Sequence, residues 1–347
     1  MSSPFDVKLN LSILPRNAPD CQIAPWRHEL ASAFTAPGQL LAELGLNPRE
    51  VSGFDATANG FDMLVPRGYA ALMERGNPHD PLLRQVLPLL AEREEVAGYG
   101  RDPVGDGAAT VVDGLLQKYA GRALLLAGGA CAIHCRYCFR RHFRHDSADA
   151  GANGYATAIA RITADTSLSE IILSGGDPLL LDDDRLGALV EQLAAIGHLQ
   201  RLRIHSRLPV VLPSRVSERL CDLLGTRRLA TVMVIHANHP RELGPASEAA
   251  LRRLARAGLT LLNQSVLLCG VNDRVETLAA LSERLLSCGV LPYYLHQLDR
   301  VHGAAHFEVD DARARDLIRA LRERCPGYLV PRLVREIPGA RAKTRID

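Results

Sequence analysis

Lysine is almost missing from this chain. Of its 41 basic residues only Lys8, Lys118 and Lys343 are lysines, and arginine carries the rest. Neither sign of charge dominates. With 39 acidic residues the net charge is +2 over 347 residues, which gives no electrostatic footprint for nucleic acid or an anionic membrane surface. A membrane-spanning run is missing too, since the longest apolar stretch lies around 123–133 and is too short to cross a bilayer. The opening MSSPFDVKLN lacks the basic-then-apolar pattern of a signal peptide. The expected location is therefore the cytoplasm, where thiols stay reduced. The eight cysteines then point to metal ligation and core thiols, not to a disulfide framework. The length allows one large domain, or one domain with an appendage, around a substantial core.

One stretch organises the rest. In CAIHCRYCFRRHF (131–143), Cys131, Cys135 and Cys138 fall in a C-x-x-x-C-x-x-C spacing straight after an apolar run. Three thiolates on one tight loop suit a soft metal centre. A closed structural zinc site wants four ligands, whereas three leave a position open for substrate or cofactor. The bland alternatives are a zinc loop completed by His134 or His142, or buried cysteines without a metal. Zinc ligands, however, usually come as two paired units, and no second C-x-x-C occurs in the chain; the one H-x-x-x-H, His302 to His306, lies about 160 residues beyond the loop. Cys21, Cys221, Cys269, Cys288 and Cys325 show no ligand spacing and read as small core hydrophobes.

Residues 1–110 read as an irregular, mainly helical extension covering one face of the main domain. PGQLLAELGL (37–46) and DPLLRQVLPLLAERE (80–94) carry apolar residues near the helical period, the second opened by Asp80 and Pro81. From about 120 the rhythm changes to short β-rich runs: RALLLAG (122–128), EIILSGG (170–176), RLRIHSR (201–207), ATVMVIHA (230–237), LTLLNQSVLL (259–268) and PYYLHQLD (292–299). Amphipathic stretches separate them, among them DDDRLGALVEQLAAIG, opened by Asp182–Asp184, and SEAALRRLARAG, ended by Gly258. Six βα units imply a parallel sheet, either doubly wound or curled into a barrel, with the chemistry at the C-terminal strand ends. Polar residues gather there: Ser174, Gly175, Gly176 and Asp177 close the second run, and His205, Ser206, His236, Asn238, His239, Asn263 and Gln264 close later ones. The Gly-Gly-Asp reads either as an ordinary turn with a helix cap or as a place where backbone approaches a ligand and a carboxylate takes an ammonium. Lys343, four residues from the end in REIPGARAKTRID, reads either as a solvated tail residue or as a lysine able to bind pyridoxal phosphate covalently.

The C-x-x-x-C-x-x-C loop with Tyr137 before its last cysteine resembles the cluster loop of the radical S-adenosylmethionine superfamily. There three cysteines hold a 4Fe-4S cluster whose fourth iron binds S-adenosylmethionine. CRYCFRRHF, LPVVLPSRV, HANHPREL, NQSVLLCGVND and PGARAK, in that order across about 80–347, resemble segments of the lysine 2,3-aminomutase family. The resemblance implies an α/β fold, a partial (β/α)6 barrel, with residues 111–335 forming it and 336–347 carrying the pyridoxal phosphate lysine, Lys343. It implies S-adenosylmethionine contacts from Gly175, Gly176, Asp177, Ser206, His236 and Gln264, and a basic and aromatic set near pyridoxal phosphate in Lys118, Tyr119 and Arg122, although Arg122 reads equally as a strand-edge charge. Arg140 falls on the arginine that grips the substrate carboxylate, a task for a planar fork. Asp299 falls on an acidic residue that holds the distal ammonium of lysine, and Glu336 on a second, where aspartate is expected. Two acids around one ammonium argue against glutamate as substrate. Ala340, Arg341 and Ala342 replace glycines of the family loop.

The implied reaction moves the amino group of free L-lysine from α to β, after a radical derived from S-adenosylmethionine removes a β-hydrogen; an electron donor such as flavodoxin or ferredoxin would reduce the cluster. The run YYLHQLDRVHGAAHF and the short segment after Lys343 resemble the branch that supplies (R)-β-lysine for modification of elongation factor P by a separate lysyl ligase. The other readings are a catabolic lysine or glutamate aminomutase and a non-catalytic iron-sulfur or zinc protein.

Overall fold

A computed structural model describes residues 24–57, 60–143, 155–225 and 228–347. Among them ten strands form one sheet in sequential order: β1 (Thr110–Val112), β2 (Leu115–Tyr119), β3 (Arg122–Gly128), β4 (Glu170–Gly175), β5 (Arg201–Ser206), β6 (Ala230–Ile235), β7 (Thr260–Val266), β8 (Leu291–His296), β9 (Arg332–Arg335) and β10 (Thr344–Arg345). β3 through β9 pair in parallel, whereas β1 and β2 at one end and β10 at the other are antiparallel additions. A doubly wound sheet reverses its strand order at a switch point. The strictly sequential order here is that of a barrel, left open between β1 and β10.

Side chains along each strand alternate between two environments, as the pleat requires. Inward residues repeat at every second position and line one cavity: Glu170, Ile172 and Ser174 on β4, Arg203 and His205 on β5, Leu262 and Gln264 on β7, Tyr294 and His296 on β8. Outward residues such as Ile171, Leu173, Leu202, Ile204 and Met233 are fully buried under the helices. Each such side chain removed from water stabilises the fold by about 1.5–3 kcal/mol. The helix Asp183–Ala195 shows the matching logic: Asp182 caps it by accepting from Arg185 N, and Leu186, Leu189, Val190 and Leu193 form its buried stripe.

All six expected strand runs are present to within a few residues. The segment 80–94 differs from its helical pattern. Asp80 caps a single turn, Pro81–Arg84, and a separate 3-10 turn follows at Leu90–Arg93, because Pro88 between them cannot donate a backbone hydrogen bond. The strands β1, β2 and β10 were not expected from periodicity; they are two to five residues long and too short to show one. Cys221 and Cys288 are buried core thiols and Cys269 and Cys325 are half-buried, while Cys21 lies outside the described residues. No helix among the described residues is long and apolar enough to cross a membrane.

Candidate active site

The cysteine loop after β3 is fastened from its outer side by the segment that precedes the barrel. His134 N donates to Leu64 O at 3.0 Å and Arg136 N to Gln85 O at 2.9 Å. Arg136 is wholly buried, and its Nε and Nη2 donate to the two Glu92 oxygens at 2.8 and 2.5 Å. Arg141 Nη2 joins the same carboxylate at 2.6 Å. Such charge-assisted, desolvated contacts hold a loop rigidly. They turn Cys131, Cys135 and Cys138 to the cavity. Neither histidine of the zinc alternative faces it: His134 Nδ1 meets Asp62 O at 2.8 Å and His142 Nε2 meets His302 O at 3.1 Å. Among the described residues no three His, Cys, Asp or Glu side chains converge on one ion position. Thiols that each serve a different iron of one cluster need no such convergence. Burial and the neighbouring thiols push Cys131 well above the ordinary thiol range and Cys138 up to about 11, so these sulfurs ionise only when something cationic takes them. The donor set fits a 4Fe-4S cluster with its fourth iron open to the cavity.

The glycines after β4 act first on the protein itself. Gly175 has φ +122°, and a Cβ on it would lie 2.3 Å from Gly128 O; one on Gly176 would lie 2.1 Å from Ala130 O. They let the strand end press against the start of the cysteine loop while lining the cavity. Asp177 accepts from Ser206 Oγ at 2.8 Å, Arg207 N at 2.8 Å and Leu179 N at 3.1 Å. Burial outweighs these bonds and pushes its carboxyl up to about 6.

From the cysteine loop a chain of alternating charges runs along the cavity. Arg140 Nε donates to Asp106 Oδ2 at 2.7 Å and Nη1 to Ser174 Oγ at 3.2 Å. Lys118 Nζ donates to Glu336 Oε1 at 3.3 Å and to Val104 O at 2.8 Å, and forms an ion pair with Asp106 Oδ1 at 2.6 Å. Glu336 Oε2 accepts from Lys343 Nζ at 2.5 Å. Burial raises the Glu336 carboxyl, but Lys343 and Lys118 outweigh it and hold it below its usual range. Asp299 faces the same cavity in the reverse situation: burial and Glu336 push it up to about 7 against the pull of Lys343 and Lys118. Tyr119 lines the wall under the Arg122 guanidinium, 4.6 Å from its ring centre. Lys343 is thus no solvated tail residue.

Of the polar strand-end residues, His205, Ser206, His236 and Gln264 line the cavity. Asn238, His239 and Asn263 do not. Asn263 bonds Ala237 N and O, Asn238 Oδ1 accepts from Val266 N at 2.8 Å, and His239 caps the turn Pro240–Glu242. His236 is neutral, pushed down to about 3 by burial and by Arg207, and its Nε2 meets Tyr137 OH at 2.8 Å. Three contributors carry no sequence pattern that marks them: Glu92, Asp106 and Arg207. Only the need of a buried arginine or lysine for a counter-charge signals the two acids.

With Lys343, Arg122, Arg203 and the three cysteines all lining it, a cavity of about 530 Å³ has donors for both a cluster and an anionic aldehyde cofactor. The comparisons agree. A family model described as a 4Fe-4S single cluster domain matches residues 120–202. L-lysine 2,3-aminomutase of Escherichia coli (strain K12) is 47% identical over 324 residues, covering 93% of this chain and 94% of that one. The protein of the same name from Haemophilus influenzae is 42% identical, covering 96% and 99%, and that from Clostridium subterminale 33%, covering 95% and 80%. The chain belongs to the lysine 2,3-aminomutase family.

Proposed function

We propose that this chain is an isomerase that converts free L-lysine to β-lysine with a 4Fe-4S cluster, S-adenosylmethionine and pyridoxal phosphate. When bound, the cluster and S-adenosylmethionine would supply the hydrogen-abstracting radical chemistry, and pyridoxal phosphate the carbonyl chemistry that holds an amino group. Cys131, Cys135 and Cys138 hold the cluster. Gly175, Gly176, Asp177, Ser206, His236 and Gln264 shape the S-adenosylmethionine side. Lys343 takes the pyridoxal aldehyde, with Tyr119, Arg122 and Lys118 around it; Lys118 reaches a phosphate only by giving up one of its three present partners. Arg140 grips the substrate carboxylate through Nη2, because Nε and Nη1 are already placed by Asp106 and Ser174.

The observation that carries this reading is the charge chain Arg140–Asp106–Lys118–Glu336–Lys343, which runs from the cysteine loop to Lys343 around one cavity. Asp299 supports lysine as substrate. Its carboxyl is held up to about 7 despite Lys343 and Lys118, with no direct ion pair among the described residues; a distal ammonium would supply one, whereas the distal carboxylate of glutamate would be repelled. Glu336 already has two cations and mainly positions Lys343. The test is anaerobic reconstitution with iron and sulfide, then incubation with dithionite, both small cofactors and L-lysine. Formation of β-lysine is expected; cleavage of S-adenosylmethionine without β-lysine overturns the substrate assignment.

We further propose that residues 111–335 form the partial barrel and 336–347 the segment that carries the pyridoxal phosphate lysine, that the electron donor is a flavodoxin or ferredoxin, that the enzyme works in the cytoplasm, and that its product is (R)-β-lysine for elongation factor P. The resemblance of YYLHQLDRVHGAAHF supports the last point. Deleting the gene is expected to leave elongation factor P without its β-lysyl mass increment, and normal modification would refute it.

A further inference from the structure

Among the described residues, Arg207 is the buried cation that hydrogen-bonds a cysteine of the loop. Its Nη1 donates to Cys135 Sγ at 2.6 Å. Its Nη2 donates to Gln85 Oε1 at 3.0 Å, Glu242 Oε2 at 3.1 Å and Tyr69 OH at 3.4 Å, and its Nε is buried without a partner. The rings of Tyr69 and Tyr137 lie 5.6 and 5.8 Å from the guanidinium carbon. The residue is only 7% exposed and Glu242 is fully buried. A guanidinium used purely as a structural pin would place its fork squarely on Glu242. Here one nitrogen goes to the acid and the other to the sulfur, so the two compete for one positive charge.

We propose that Arg207 sets the reduction potential of the iron-sulfur centre through its N–H···S contact with Cys135, and that Glu242 damps the effect. This rests on the cluster assignment made above. Hydrogen bonds to cluster sulfurs and nearby charge are principal determinants of cluster potential. Reduction adds one electron to the centre. A cation against the sulfur stabilises the added negative charge, and the low dielectric of a buried site strengthens that interaction. Arginine stays protonated at any working pH, so the effect is constant. Arg207 is a positioning and tuning residue: among the described residues its ion pair is with Glu242, outside the Arg140-to-Lys343 charge chain.

The experiment compares the full chain with Arg207→Gln, Arg207→Lys and Glu242→Gln after anaerobic reconstitution. Iron and sulfide are counted first, and the cluster is then titrated electrochemically and followed by electron paramagnetic resonance. At full iron loading, Arg207→Gln is expected to lower the equilibrium constant for one-electron reduction about tenfold, a shift of ~59 mV to more negative potential. Arg207→Lys should recover part of the loss. Glu242→Gln should move the potential the opposite way. Loss of packing alone would give shifts of one sign in both, or none, and either result overturns the inference. If Arg207→Gln fails to fold, Glu242→Gln decides alone, and an unmoved or more negative potential refutes the proposal. A wild-type chain that takes up no iron and sulfide would instead remove the cluster assignment, and this inference with it.

Discussion

The cysteine loop and the Lys343 segment face one cavity but are held in different ways. The loop is pinned by Glu92, Arg136 and Arg141, whose side chains are 0–3% exposed, and by backbone bonds to residues 64 and 85. Lys343 sits beside a two-residue edge strand, and its partners are charged groups of the site itself; Lys343, Lys118 and Glu336 side chains are 12–23% exposed. The difference follows from what each side does. A cluster has to stay in place, and rigid buried ion pairs suit that. A lysine that gains and loses a covalent partner needs an amine held near the reaction centre by contacts it can leave.

Separating the two sides produces the largest effect. Cys135→Ala and Lys343→Ala should both reduce β-lysine formation to background, with opposite spectra: the first loses iron and keeps the pyridoxal absorbance, the second keeps iron and loses that absorbance. Loss of both signals in either variant would show that the two ends are not independently held. Next in size is the pin itself. Glu92→Gln leaves two buried guanidinium groups short of a counter-charge, a loss of about 3–5 kcal/mol. In a chain of this size that lowers the melting temperature by about 5–10 °C. Calorimetry of the variant checks it, and an unchanged melting temperature would mean that the loop is held by its backbone bonds alone.

The same division marks what was legible in the sequence. The three cysteines were readable because ligand spacing on one loop is a local property, and β3 to β8 because short β-rich runs recur between amphipathic stretches. Arg140, Asp299 and Lys343 were placed by resemblance, and the structure brings them to one cavity. Glu92, Asp106 and Arg207 were not found, since the charged or thiol partners of each lie 12 or more residues away in sequence. Asn238, His239 and Asn263 were read as lining residues because they follow strands. A strand end, however, also has backbone groups to satisfy, and those three satisfy them.

Asp299 allows a subtler test of the reactive side. Burial first, and then Glu336, hold its carboxyl up to about 7 in the absence of substrate. Below that pH it is protonated and cannot pair with the distal ammonium, which stays charged throughout. The KM for lysine should therefore rise as pH falls below about 7, up to tenfold per unit, and level off above it. The slope should disappear in Asp299→Asn, with KM high at every pH. A slope that survives the substitution would move the titrating group elsewhere, Asp177 being the next candidate because burial holds it up to about 6 on the other side of the cavity.

The smallest effect comes from a residue outside the cavity. His239 Nδ1 accepts from Arg241 N at 3.2 Å and caps a three-residue turn. Removing the acceptor in His239→Ala should cost about 1 kcal/mol, as for other lost caps. Its imidazole neither lines the cavity nor touches Arg140, Asp299 or Lys343 in any contact that the structure shows, so kcat and KM should stay within about twofold, less than the tenfold that corresponds to 1.4 kcal/mol. His236, three residues earlier, differs in direction only: it turns inward and bonds Tyr137 OH beside the cysteine loop. If His239→Ala changed KM as strongly as His236→Ala, the turn Pro240–Glu242 would be transmitting strain to Glu242 and through it to Arg207, and the boundary between pinned and reactive walls would have to include that turn.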